Sequence, residues 1–360
     1  MNLKIESLEI GGPKTIVIAE AGVNHLGRMD YAEELVKTAA RAGADIVKFQ
    51  TYKADRLTTK SAPRFWSWDG EKEQDGSQHD SYALLDSFGK DQHVELKRLC
   101  DKYEVVFMST PFDEESADML VEIGMKGFKI ASCDLTNLPL LKHIASFKLP
   151  MLLSTGAATL DEISKAVDTV EGAGNSQICI MHCTLCYPTD PKDSNLSALN
   201  DIAAAFPQRV LGLSDHTLGT IVPAASILYG AKVIEKHYTF DKTLPDSADH
   251  WLSLDEQQMT QLVVQIRELE VAIGNGKKIK LECETPAHQF ARRSLVSQID
   301  IKKGDLITRE MLAVKRPGTG LAPEFLDRFI GAEAARDTAA DSLLSLDDIV
   351  EQRLFLRSAD

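Results

Sequence analysis

The sequence predicts a soluble (β/α)8 barrel followed by a small second domain, and three observations carry that prediction. From Thr15 onward a short β-branched apolar run, a polar loop and an amphipathic segment recur as one cycle, eight times before Gly274. Strands alternating with helices demand a parallel sheet, and eight repeats in about 260 residues close that sheet into a barrel. An open nucleotide-binding sheet would instead want a GxGxxG turn, which the sequence lacks.

The eight strands are expected at Thr15–Ala19, Asp45–Phe49, Val105–Met108, Gly127–Ala131, Met151–Ser154, Gln177–Met181, Val210–Leu213 and Lys232–Glu235. Apolar residues at helical spacing follow them, as in Leu160, Ile163, Ala166, Val167 and Val170, or Met259, Leu262, Val263, Ile266 and Leu269. Ahead of the first strand, MNLKIESLEIGG alternates apolar and polar residues, as a short hairpin capping the barrel would. The stretch from Thr51 to Gln92 contains SAPRFWSWDGEKEQDG and little periodicity. Loops longer than about 15 residues in a compact domain are usually functional, and this one is expected to be a lid.

At Gly274–Glu284 the pattern changes to a polar, Lys-rich linker. The barrel is therefore expected over residues 1–273, the linker over 274–284 and a second domain over 285–360. Within that domain DIKKGDLITREML from Asp300 and DTAADSLLSLDDI from Asp337 share spacing, which suggests two related halves in which Asp341 replaces Gly304.

Composition narrows the function. The chain is 44% apolar and 26% charged, and no apolar run approaches the ~18 residues of a membrane span. The N-terminus lacks the pattern of a signal peptide, and six scattered cysteines form no disulfide framework, so a cytoplasmic protein is expected. A net charge of −14 argues against nucleic acid and anionic membrane as partners. An anionic ligand must then be held by a local cluster.

In a parallel barrel the chemistry sits at the C-terminal ends of the strands, and nearly every strand here ends in polar residues. In order these are Glu20 with Asn24 and His25; Lys48 and Gln50; Ser109 and Thr110; Lys129, Ser132 and Asp134; Ser154 and Thr155; His182, Thr184 and Tyr187; Ser214, Asp215 and His216; and Glu235, Lys236 and His237. Lys48 and Lys129 are expensive to bury unless an anion neutralises them, and the hydroxyls of Thr110, Ser132, Ser154 and Ser214 would complete a phosphate or carboxylate cage. The alternative is a structural ion pair such as Lys48 with Glu20. His216 and His237 close adjacent strands and can converge on one divalent cation, with Glu235 and Asp134 nearby for protons or metal-bound water. Two imidazoles with water and substrate oxygen suit a hard ion, Mn2+ or Mg2+, better than a closed zinc site.

Cys183 and Cys186 form a CxxC, but no second pair accompanies it and Tyr187-Pro188 prevents the helix of a redox motif. Trp66 and Trp68 offer either sugar stacking or lid packing. A metal-dependent barrel hydrolase would also use strand-end histidines, but it would want an HxH after the first strand, where Asn24-His25 supplies one.

As an ordered set these motifs resemble the sialic acid synthase (N-acetylneuraminate synthase) family over essentially the whole chain. The similar segments are IAEAGVNHLG from Ile18, KFQ from Lys48, STPFD from Ser109, KIAS from Lys129, LSTG from Leu153, GLSDHT from Gly212 and EKH from Glu235. RRSL from Arg292 and KRPGTG from Lys315 resemble the family's C-terminal (SAF) domain, which is similar to type III antifreeze proteins. A non-enzymatic reading, an antifreeze-like binding module on a degenerate barrel, should have lost some of the buried lysines and histidines, and all are present.

The resemblance implies a phosphoenolpyruvate cage of Lys48, Thr110, Lys129, Ser132, Ser154 and Ser214. It implies metal ligation by His216 and His237, with Mn2+ as the ion and Mg2+ or Co2+ as alternatives. The acceptor amino sugar would be held by Glu20, Gln50, Tyr187 and Asp249, with Arg316 reaching in from a partner subunit, hence a domain-swapped homodimer. Glu20, Lys129, Asp134 and Glu235 would carry the catalysis. C3 of phosphoenolpyruvate would attack the aldehyde of an open-chain 2-acylamino sugar, and phosphate would leave by C–O cleavage. Leu185, Asp134 and the Ser247-Ala248 stretch depart from the pattern of some members. The acceptor is left open among N-acetylmannosamine, its 6-phosphate and a deoxy-diacetamido sugar leading to legionaminic or pseudaminic acid. Lys53, Arg56, Lys60 and Arg64 of the lid are available for an extra phosphate, or are solvated surface.

Overall fold

The computed structural model describes residues 3–66, 76–244 and 249–350, which fall into two compact units, residues 1–274 and 275–360. Unit one opens with a hairpin, β1 (Leu3–Ile5) paired antiparallel to β2 (Leu8–Ile10). Eight parallel strands follow: β3 (Ile16–Gly22), β4 (Ile46–Thr51), β5 (Val106–Pro111), β6 (Phe128–Ile130), β7 (Met151–Ser154), β8 (Ile178–Cys183), β9 (Val210–Asp215) and β10 (Ala231–His237). Their order is β5-β4-β3-β10-β9-β8-β7-β6, with β5 and β6 side by side at the seam, so the sheet wraps into a barrel. Each expected strand is present, and six run two or three residues further toward the C-terminal face.

Alternation along the strands divides the core in two. Val17, Ala19, Val47, Phe49, Phe107, Ile130, Leu153 and Ile180 point outward and pack beneath the helices. Ile16, Ile18, Ile46, Val106, Met108, Leu152, Cys179, Met181, Val210 and Val233 point inward, where Leu3, Ile5 and Ile10 of the hairpin join them and plug the N-terminal end. Gly212 is required in this interior, since a Cβ there would lie 2.8 Å from the Val233 carbonyl oxygen and 3.0 Å from Met181.

The surrounding helices are α1 (Met29–Arg41), α2 (Ala54–Leu57), α3 (Gln78–Ala83), α4 (Lys90–Lys102), α5 (Glu114–Glu122), α6 (Leu138–Ser146), α7 (Leu160–Gly172), α8 (Ala198–Ala205), α9 (Ile221–Ala225) and α10 (Glu256–Ala272). Helix α7 begins at a Thr159/Glu162 capping box and buries Ile163, Ala166, Val167 and Val170. Helix α10 begins at an Asp255/Gln258 box and buries Met259, Leu262 and Ile266. The described part of the segment read as an aperiodic lid is more ordered than its sequence suggests. That part contains the short helices α2 and α3, and Pro63 bridges Ser77 within it. Trp68 lies outside the described residues. Among those residues no helix is long and apolar enough to cross a membrane.

Unit two contains α11 (Thr285–Phe290), the antiparallel pair β11 (Ser294–Ser297) and β12 (Leu312–Lys315), and α12 (Leu326–Phe329), around a core that includes Leu295, Ile301, Ile307, Phe329 and Leu344. Its two similar segments adopt similar backbones. Gly304 (φ 88°) and Asp341 (φ 62°) are both left-handed, and a 3-10 turn begins at Arg309 in one copy and at Leu346 in the other. Aspartate is among the few residues that tolerate this conformation, which explains the exchange.

Candidate functional site

The inward register continues to the C-terminal rim, where the apolar residues give way to Glu20, Lys48, Thr110, Lys129, Ser154, Ser214 and Glu235, all 4% exposed or less. These charges form one network. Lys48 Nζ contacts a Glu20 carboxylate oxygen, donates to Thr110 Oγ1 at 3.0 Å and lies 3.7 Å from Glu235 Oε1. Lys129 Nζ is 3.1 Å from that same Glu235 oxygen, to which Ser214 Oγ donates at 3.0 Å. The ion pair of Lys48 with Glu20, weighed in the sequence only as an alternative to an anion cage, is therefore real. It leaves part of the cluster unsatisfied, since Glu235 Oε2 and Ser154 Oγ are buried without a hydrogen-bond partner. A buried polar atom with no partner costs about 1–3 kcal/mol, so such atoms mark a place for a ligand. Ser132 is already engaged, accepting from the Gly156 amide at 3.0 Å.

Position parity separates chemistry from scaffold. Asp215 and Lys236 follow the inward residues Ser214 and Glu235, point the other way and pair at 2.6 Å. They are structural, as is His182, whose Nε2 lies 2.8 Å from the Ser194 carbonyl oxygen.

Burial would by itself raise Glu235, but Lys129 and Lys48 hold its carboxyl well below the ordinary glutamate value. Glu20 is raised, because burial and the nearby Glu235 outweigh Lys48. Asp134 is raised chiefly by burial and is hydrogen-bonded by Asn137 at 3.3 Å. The network thus sets a firmly ionised Glu235 beside Glu20, which holds a proton more readily, an arrangement suited to acid–base work.

His216 and His237 stand with ring centroids 5.3 Å apart, and the ring of Tyr187 lies 4.1 Å from that of His216. His216 Nδ1 donates to the Thr184 carbonyl oxygen at 2.8 Å, which leaves Nε2 as its lone-pair nitrogen. Burial, reinforced by His237, pushes His216 down to about 3, so its imidazole is neutral. His237 Nδ1 faces Asp249 Oδ2 at 3.4 Å, and that carboxylate raises His237 against the effect of burial. Among the described residues no group of three or more His, Cys, Asp or Glu is arranged to hold a metal. Two imidazoles oriented by neighbouring oxygens fit an ion that completes its shell with water and substrate, and do not fit a closed structural site.

Gln50 Nε2 donates to Glu20 Oε1 at 3.1 Å. A Cβ on Gly22 would lie 3.4 Å from Gln50 and Glu20 and 3.8 Å from Asp249, so these three groups converge around Gly22, whose φ of 53° favours glycine. Arg316 is exposed in the loop after β12, in the other unit. Of the lid cations, Arg56 is committed to Asp113 at 3.1 Å and Glu115 at 2.6 Å, and Lys53 lies 4.0 Å from the Asp86 carboxylate. The sequence reading passed over Tyr52 and Tyr82. Tyr52 is 5% exposed, with its hydroxyl unpartnered. The available signal was its place two residues beyond Gln50, just past the end of β4.

Comparison with known proteins bears on this arrangement. The model of the NeuB family matches residues 35–278 and that of the SAF domain matches residues 292–350. The N,N'-diacetyllegionaminic acid synthase of Legionella pneumophila is 40% identical over 349 residues, covering 95% of this chain and 97% of that protein. The N-acetylneuraminate-9-phosphate synthase of Homo sapiens is 30% identical over 337 residues, covering 93% and 92%. Among solved structures, the spore coat polysaccharide biosynthesis protein spsE of Bacillus subtilis aligns at a TM-score of 0.66 with 36% identity, covering 98% of this chain and all of that one.

Proposed function

We infer, since the chain belongs to the NeuB family and is a phosphoenolpyruvate-condensing transferase of nonulosonic acid biosynthesis, that its acceptor is a 2,4-diacylamino sugar leading to an N,N'-diacetyllegionaminic type of acid. What carries this choice is the 40% identity to a synthase of that name, against 30% to a synthase acting in the 9-phosphate series. The second reading is N-acetylmannosamine or its 6-phosphate.

Lys48, Thr110, Lys129, Ser132, Ser154 and Ser214 would hold phosphoenolpyruvate, with the unpartnered Ser154 hydroxyl gaining the bond it lacks. The trianion would compete with Glu20 for Lys48, and Glu20, already raised by burial, is the carboxyl that would give way. Glu20, Gln50, Tyr187 and Asp249 would orient the acceptor, joined by Arg316 of a second copy in a domain-swapped homodimer. NeuB-family enzymes are metal-dependent. An ion such as Mn2+, held by His216 and His237, would supply Lewis-acid polarisation of the acceptor aldehyde. C3 of phosphoenolpyruvate forms the new bond to C1 of the acceptor, water adds at C2, and phosphate departs with cleavage of its C–O bond. Asp134 or Glu235 would take the proton from that water.

The test incubates the full chain with phosphoenolpyruvate, Mn2+ and single acceptors, reading inorganic phosphate and 2-keto acid with and without a chelator. Chelator-sensitive release that is fastest with the diacetamido sugar is expected. Fastest release with N-acetylmannosamine or its 6-phosphate would replace this reading with the second.

A further inference from the structure

Lys48 and Gln50 share the inward face of β4, and Tyr52 follows the strand's last residue, Thr51. Lys48 lies within the ionic network, and Gln50 binds Glu20 where these two converge with Asp249 around Gly22. An acceptor held at Gln50 with its C1 toward Lys48 would extend toward Tyr52. Gln50 and Tyr52 line the same small pocket, together with Leu85, Asp86 and Phe88 of the lid.

The tyrosine is well anchored and yet unsatisfied. Its ring packs edge-on against Tyr82 at 5.3 Å and against Phe112 at 5.8 Å, while Trp66 lies 5.8 Å from Tyr82. Its hydroxyl is buried with no hydrogen-bond partner, within electrostatic reach of Asp249 and Asp86. Burial raises that hydroxyl well above an ordinary tyrosine, so it is a neutral O–H. A phosphate finds little to hold it here. Asp86 brings an acidic side chain to the pocket, Lys53 and Arg56 are already engaged by lid and helix carboxylates, and Arg64 lies over the Trp66 ring at 5.6 Å.

We propose that Tyr52, Tyr82 and Trp66 form the subsite that reads the far end of the acceptor. The Tyr52 hydroxyl donates to the carbonyl of a second acylamino group, the Tyr82 and Trp66 rings cover an adjacent methyl edge, and a 6-phosphate is disfavoured. This inference rests on the diacylamino acceptor proposed above and identifies the residues that select it. The general reason is that a pocket built to bond one polar group discriminates strongly against analogues that lack it.

The test is steady-state kinetics of the full chain and of Tyr52→Phe, with 2,4-diacetamido-2,4,6-trideoxymannose, N-acetylmannosamine and N-acetylmannosamine 6-phosphate as separate acceptors. Phenylalanine keeps the ring contacts and removes the unpartnered hydroxyl, so the thermal midpoint should hold or rise. The ratio of kcat/KM for the diacetamido sugar to that for N-acetylmannosamine should fall about 10-fold, the size of one lost substrate hydrogen bond, mainly through KM. An unchanged ratio, whether both activities fall together or neither moves, would overturn the subsite. So would a wild-type preference for the 6-phosphate. Absence of turnover with every acceptor would sink the acceptor reading itself, and the subsite with it.

Discussion

At the mouth of the barrel the buried hydroxyls of Ser154 and Tyr52 and one oxygen of Glu235 have no protein partner, whereas the C-terminal unit binds its buried hydroxyls on both sides. There Ser294 Oγ donates to the Pro317 carbonyl oxygen at 2.7 Å and accepts from the Gly320 amide at 2.9 Å. Ser297 Oγ donates to the Ala339 carbonyl oxygen at 2.5 Å and accepts from the Ser342 amide at 3.0 Å. Among the described residues of that unit no buried side-chain nitrogen or oxygen is unpartnered. The small unit has few strands and uses buried polar groups to fasten loops. The barrel has ample apolar core and can leave polar groups unsatisfied where a ligand would complete them.

Substitutions on the two sides should therefore separate activity from stability. The largest effect is expected for Lys129→Ala, with kcat/KM for phosphate release reduced at least about 10^3-fold while far-UV circular dichroism retains the barrel signature. An active Lys129→Ala enzyme would remove this residue from the site. In the other unit, Ser297→Ala deletes a hydroxyl with two partners, and urea unfolding of the full chain should show a loss of about 1–3 kcal/mol. No loss would erase the contrast. Ser154→Ala deletes a hydroxyl that has none, so the urea midpoint should stay put while KM for phosphoenolpyruvate rises about 10-fold. A lower midpoint with unchanged KM would make Ser154 a scaffold residue instead.

The smallest effect sharpens the comparison by pH. Burial would raise Asp348, but Arg336 at 2.5 Å and the Ser345 amide and hydroxyl bring it below the ordinary aspartate value. A carboxyl depressed in the fold contributes stability above its unfolded pKa of about 3.9, and loses that contribution as pH falls from there through its folded value. Arg336→Ala should consequently flatten the acid limb of the stability profile below about pH 4, as followed by thermal unfolding. An unaltered limb would show that Arg336 does not set this carboxyl.

Much of this was written in local sequence. Alternation along each strand is a property of the extended backbone, so the inward run Ile16, Ile18, Glu20 or Ile46, Lys48, Gln50 already fixes which polar residues face the barrel axis. Capping boxes at Thr159 and Asp255, and the matching positions of Gly304 and Asp341, were likewise readable, because caps and left-handed turns depend on a few neighbouring residues. The ordered motifs carried the family, as did the pairing of His216 with His237 at the ends of adjacent strands.

Tertiary structure alone decided which charges meet. Lys129 reaches Glu235, Lys48 lies between Glu20 and Glu235, and Asp215 pairs with Lys236 on the outer face. It also paired Pro63 with Ser77 and left the Tyr52 hydroxyl enclosed without a hydrogen-bond partner. Such outcomes depend on through-space approach between strands far apart in the chain, and whether a buried polar atom is satisfied is known only when every neighbour has its place.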